Sequence, residues 1–160
     1  AKGGEVQDYE LESTALHDIL EEIADLPGRD LFSWHDEEGG RRRVSSQRLN
    51  AYLSEIGGVG VTAKTFRTWA GSVAGFGEAL DALRREEPVR VKAICEAAAE
   101  KLHNTPAVCR TSYVHPEVLE IAADERRAKI ALKAFETRKN TRGLNRAEER
   151  FLQYLEMCEG

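Results

Sequence analysis

The chain has 160 residues, 41% hydrophobic and 32% charged, the composition of one globular domain with a sizeable core rather than a disordered chain. No apolar run approaches the roughly 20 residues that cross a bilayer, the opening Ala1-Lys2-Gly3-Gly4-Glu5 is not a signal peptide, and three cysteines (Cys95, Cys109, Cys158) without a Cys-x-x-Cys pair argue against a disulfide framework or a cysteine zinc site. The net charge of −5 would disfavour a polyanionic partner, but it is unevenly spread, and only the patch that meets a phosphate matters for such binding.

Residues 1–38 hold twelve acidic residues against Lys2 and Arg29, and residues 2–11 offer a hairpin around Gly3-Gly4. Leu16, Ile19, Leu20 and Ile23 follow Ser13-Thr14 at helical spacing, and Pro27-Gly28 stops that run. Residues 31–44 offer a second hairpin around Gly39-Gly40. Basic residues now dominate: over 39–73, Arg41, Arg42, Arg43, Arg48, Lys64 and Arg67 face Glu55 alone. Ser45-Ser46 opens a helix with Leu49, Tyr52, Leu53 and Ile56, closed by Gly57-Gly58.

Thr62 can cap a third helix whose buried stripe is expected to include Phe66, Trp69 and Val73. A fourth, after Glu87-Pro88, carries Val91, Ile94, Ala98 and Leu102. Thr105 then suits an N-cap with Pro106 as first helical residue, and His115-Pro116 breaks the chain again. A long charged helix is expected to follow that break, and residues 126–146 hold eight basic residues against Glu136. Asn145 and Glu148 have capping-box spacing for a last helix bearing Phe151, Leu152 and Leu155. The expected fold class is mainly α: a single compact helical domain over 1–160 with a small β-hairpin remnant near its start.

Generic catalytic signatures are missing. No Gly-rich phosphate loop, His-Glu-x-x-His or Gly-x-Ser-x-Gly occurs, and His17, His35, His103 and His115 form no i, i+4 pair for a metal. Two segments stand out instead: Val61-Thr-Ala-Lys-Thr-Phe-Arg67-Thr-Trp69-Ala-Gly, and Leu102-His-Asn104-Thr-Pro-Ala-Val-Cys-Arg-Thr-Ser-Tyr113-Val-His-Pro. At these residues the chain resembles the catalytic domain of the bacterial, poxvirus-like type IB DNA topoisomerases. Ala1-Lys2-Gly3-Gly4 resembles the start of the hairpin that carries the family's lysine. The stretches Asp25–Phe32 and Asp36–Val44 are similar to its connecting region, so the likeness runs over nearly the whole chain.

The resemblance implies a topoisomerase IB and tyrosine recombinase-like fold, and an enzyme that cuts one strand of duplex DNA, lets it rotate and reseals it. That reaction needs an oxygen nucleophile, donors for charge growing on the phosphate, and an acid for the departing oxygen. It implies Tyr113 as nucleophile, forming a 3′-phosphotyrosyl intermediate that needs no ATP or metal to reseal. Arg67 would clamp non-bridging oxygens with its planar fork, Lys2 would protonate the 5′ oxygen, and Asn104, where viral relatives carry a histidine, would donate to the same phosphate. Arg110, Lys64, Arg42, Arg43 and His103 are the expected DNA contacts. No cofactor is expected, the partner is double-stranded DNA rather than a membrane, and the chain is expected to act as a monomer in the bacterial nucleoid.

The family's pattern has a further arginine upstream of the hairpin lysine and an N-terminal DNA-clamping domain. Neither is found here, so a C-terminal catalytic fragment of impaired activity is expected. Structural uses for the same residues remain open. Tyr113 is also a plausible core tyrosine, Arg67 a snorkelling side chain beside Phe66 and Trp69, Asn104 a helix-ending residue and Arg41–Arg43 a solubilising turn. Tyr9, Tyr52 and Tyr154 read as structural, Trp34 and Trp69 as core, and Cys109 as a small hydrophobe. Two other functions stay open: a tyrosine recombinase, and a helical DNA-binding module without chemistry.

Overall fold

The structure is a computed structural model that describes residues 13–24, 32–137 and 140–160. The hairpin expected over 2–11, Lys2 included, and Tyr9 lie outside these residues. The chain divides into two compact units, Ala1–Ala63 and Lys64–Gly160. Among the described residues it is mainly helical, with one two-stranded hairpin.

In the first unit, α1 spans Thr14–Ala24, and β1 (Ser33–His35) pairs antiparallel with β2 (Arg41–Arg43), Trp34 opposite Arg42. The turn is organised by Asp36, whose carboxylate accepts from the Gly40 N–H at 2.7 Å and the Glu38 N–H at 3.2 Å. It also pairs with Arg42 Nε at 2.7 Å, and this bond, with the backbone donors, holds the Asp36 carboxyl below its ordinary range. Helix α2 (Ser46–Gly57) starts where Ser45 accepts from the Arg48 N–H and stops at Gly58, which at φ +99° takes a conformation few other residues tolerate. The Arg48 guanidinium lies 4.2 Å from the centre of the Trp34 ring, so this half-buried indole is covered by a cation rather than packed in a core.

The second unit is built on α3 (Ala63–Arg84), a rod of about 33 Å at 1.5 Å per residue. Helices α4 (Val91–Leu102), α5 (Pro106–Ser112), α6 (Pro116–Glu120), α7 (Glu125–Glu136) and α8 (Arg146–Glu159) complete it. Phe76, Leu80, Ile94, Ala98, Val118, Phe151 and Tyr154 form its buried centre, where a Phe, Leu, Ile or Val side chain contributes about 1.5–3 kcal/mol. Phe76 meets both Phe151 (ring centres 5.6 Å apart) and Tyr154 (5.0 Å), while Trp69 tilts against Phe151 at 5.1 Å. At Gly75 a Cβ would stand 2.9 Å from Ile94 Cγ2, so the missing side chain sets how closely α3 and α4 approach.

Two further expectations change. Phe66 is 57% exposed rather than part of the buried stripe, because the first α3 side chain to reach the core cluster is Trp69, one turn further on. The single long helix expected after Pro116 is two helices. Asp124 accepts from the Arg126 N–H at 2.7 Å and so caps a new start, while Ala122 and Ala123 bond back only three residues. The Asn145–Glu148 capping box forms in full, and Glu148 Oε1 also accepts from Trp69 Nε1 at 3.1 Å, tying α8 to α3.

Candidate active site

Tyr113 sits at the end of a short, well-anchored helix. Thr105 accepts from the Val108 N–H and Pro106 supplies a preset φ, so α5 starts sharply. It ends where the N–H groups of both Tyr113 and Val114 reach the Cys109 carbonyl, at 2.9 and 3.0 Å. Cys109 and Val114 are buried, which anchors the chain on either side of the tyrosine while its ring stays half-buried. Burial, the largest effect, raises the Cys109 thiol above its ordinary pKa, in keeping with a small core hydrophobe. The Tyr113 hydroxyl makes no hydrogen bond among the described residues.

Arg67 reaches this ring from α3. Its Cζ stands 5.1 Å from the centre of the Tyr113 ring, and its Nη2 donates to the Leu102 carbonyl at 3.1 Å. That carbonyl ends α4, where His103 adopts a left-handed conformation (φ +48°) and turns the chain toward Asn104. Asn104 accepts through Oδ1 from the Thr105 N–H at 2.9 Å, so its amide is held by its oxygen and its nitrogen end has no partner among the described residues. One guanidinium is thereby fixed against the nucleophile candidate and the turn that carries Asn104. With only one of five N–H donors engaged by Leu102, its fork retains capacity for an anion.

The remaining predicted residues fall in different places. Lys64 is exposed one turn ahead of Arg67, Arg110 is exposed one turn ahead of Tyr113, and His103 is exposed at the α4 end. Arg42 and Arg43 are exposed on β2 in the first unit, Arg42 engaged by Asp36. The other described tyrosines behave differently from Tyr113. Tyr154 is fully buried and its hydroxyl donates to the Glu117 carbonyl at 2.7 Å, whereas Tyr52 is 57% exposed on α2. Among the described residues no group of three or more His, Cys, Asp or Glu side chains could hold a metal ion, and no helix is long and apolar enough to cross a membrane.

Sequence reasoning missed the α3 residues facing the Tyr113 backbone. Thr68 Oγ1 donates to the Ser112 carbonyl at 3.4 Å, and buried Ser72 accepts from the His115 N–H at 2.9 Å. The available signal was a Gly71-Ser72 pair in the interior of a helix, where neither residue is favoured without a packing reason.

The sequence profile of the catalytic core of eukaryotic DNA topoisomerase I matches residues 5–140. The chain belongs to this topoisomerase I family. The matched range takes in Arg67, Asn104 and Tyr113 and begins after Lys2. The helical architecture with its small hairpin agrees with a type IB topoisomerase core. A protein named DNA topoisomerase 1B from Acanthamoeba polyphaga mimivirus is 29% identical over 131 residues, covering 75% of this chain and 39% of that protein. The chain therefore spans well under half the length of this topoisomerase relative.

Proposed function

We propose that this chain carries the strand-cleaving and resealing chemistry of a type IB DNA topoisomerase acting on duplex DNA. The observation that supports it best is the Arg67 guanidinium 5.1 Å from the Tyr113 ring, beside a hydroxyl that no described residue engages. The Tyr113 oxygen attacks a backbone phosphorus, so a bond from the phenolic oxygen to phosphorus forms as the bond to the 5′ oxygen breaks. The phenolic proton passes to solvent water, and Lys2 supplies one to the departing 5′ oxygen. Arg67 holds the non-bridging oxygens as their charge grows, and the Asn104 amide donates to the same phosphate.

The resulting 3′-phosphotyrosyl ester keeps the energy of the broken linkage. Attack by the free 5′ hydroxyl reverses the step after the strand has rotated, and supercoils are relaxed without an external energy source. Lys64, Arg110 and His103, exposed around Arg67 and Tyr113, contact the DNA backbone, as do Arg42 and Arg43 on the hairpin, so binding depends mainly on phosphates and little on base sequence.

The experiment is covalent trapping on a suicide duplex that loses its 5′ fragment after cleavage. The chain, or the longer gene product that contains it, is expected to form a protein–DNA adduct, and Tyr113→Phe to form none. An adduct that survives Tyr113→Phe, or none from either protein, would overturn the reading and leave a DNA-binding module. Joining at one defined sequence without relaxation of supercoils would point to a tyrosine recombinase.

A further inference from the structure

We infer that the Thr68–Gly71–Ser72 face of α3 is a positioning device that sets the Tyr113 main chain against the Arg67 guanidinium. The inference rests on the reading of Tyr113 as nucleophile. Arg67 and Gly71, like Thr68 and Ser72, are four residues apart, so all four lie on adjoining strips of two consecutive turns. Those turns carry the phosphate clamp and also meet the backbone of the tyrosine loop.

Ser72 is 1% exposed, and its bonds leave its own helix for that loop. Its oxygen accepts from the His115 N–H at 2.9 Å and stands 3.5 Å from the Tyr113 carbonyl, a long contact in which the hydroxyl donates. One hydroxyl thus grips the chain on both sides of Val114. A buried serine without such partners would weaken the fold, and a helix interior gives it no reason to be there.

Gly71 completes the contact by having no side chain. A Cβ at this position would stand 2.6 Å from the Tyr113 carbonyl oxygen and 2.9 Å from Leu102 Cδ1. Two of the crowded groups are main chain or core, so the helix or the loop would have to move apart. Leu102 is also the residue whose carbonyl receives Arg67, so this displacement would disturb both members of the pair. Thr68, one turn earlier, adds its bond to the Ser112 carbonyl at 3.4 Å. Because α3 runs on into the packed core at Phe76 and Leu80, the device is a rigid ruler rather than a local loop preference.

Misplacing a reacting group by about 1 Å costs on the order of 100-fold in rate. The test is single-turnover cleavage of the suicide duplex by wild type, Ser72→Ala and Gly71→Ala, reading rate constant and final adduct yield separately, with duplex affinity measured in parallel. The expected result is a rate constant lowered about 100-fold in Gly71→Ala and at least 10-fold in Ser72→Ala, with affinity and final yield retained. A yield that falls while the rate of the remaining active molecules stays within threefold of wild type would mean a purely structural role and overturn the inference. Should Ser72→Ala and Gly71→Ala not fold, Thr68→Val, which removes only the Ser112 bond, is expected to slow cleavage severalfold at full yield; an unchanged rate overturns the inference. Absence of adduct in the wild-type protein instead removes the proposed function on which it stands.

Discussion

Arg67 donates to the Leu102 carbonyl at 3.1 Å while its guanidinium faces the Tyr113 ring, so one planar group bridges the end of α4 and the end of α5. A lysine at this position keeps the charge but not the fork, and a single ammonium cannot hold that carbonyl and two phosphate oxygens in a fixed plane. Arg67→Lys is expected to slow adduct formation by about 10²–10³-fold, the usual loss for one transition-state donor, with duplex affinity changed far less. Single-turnover cleavage alongside equilibrium binding measures both; a rate within tenfold of wild type would remove Arg67 from the phosphate-holding role.

Tyr113 and Tyr154 form an internal control. Tyr154→Phe removes a buried bond to the Glu117 carbonyl and is expected to cost about 1–2 kcal/mol in denaturant unfolding while leaving the cleavage rate near wild type. Tyr113→Phe, at a hydroxyl with no described partner, is expected to leave stability within about 0.5 kcal/mol and abolish the adduct. The opposite pattern would make Tyr113 the structural residue.

Alkaline pH should destabilise the second unit. Burial raises the Cys95, Cys109 and Cys158 thiols above their ordinary value of 9.0 and the Tyr154 phenol far above 10.0. Each folded group holds its proton where the unfolded chain has lost it. The associated stability is complete below the unfolded values and declines as pH rises from about 9 through 10 and beyond. A Tm that falls between pH 8.5 and 11, less steeply in Tyr154→Phe, is the expected thermal-melt result; a flat profile across that range would contradict it.

Lys64 and Arg110 flank the Arg67–Tyr113 pair and are exposed, which suits contact with the DNA backbone. Replacing both with glutamine is expected to weaken duplex binding similarly for unrelated sequences and to lower the slope of log affinity against log salt by roughly 2. A salt titration of binding reads this directly. An unchanged slope would place both side chains away from the duplex.

Much of the helical order was legible in the residues because capping and breaking are local. Ser45 with Gly58, Thr105 with Pro106, and Asn145 with Glu148 each act within a few positions, and the structure bears out all three. Phe66 misled because periodicity reports which side chains share a face, not how far along a helix the core extends. The break at Ile121–Asp124 was hidden because its signal, one aspartate accepting from the chain two residues on, resembles any charged residue in a charged helix.

The candidate chemistry divides in the same way. The residue types, a tyrosine, an arginine and an amide in two short segments, are legible in the chain alone, since nucleophilicity and hydrogen-bonding capacity belong to side chains. It takes the packing of helices to bring residues 67 and 113, 46 positions apart in the chain, together, to commit the Tyr154 hydroxyl to a backbone carbonyl, and to make Gly71 necessary for an approach no side chain would permit. Distances between residues far apart in the chain are set by how whole helices pack, and no local pattern encodes them.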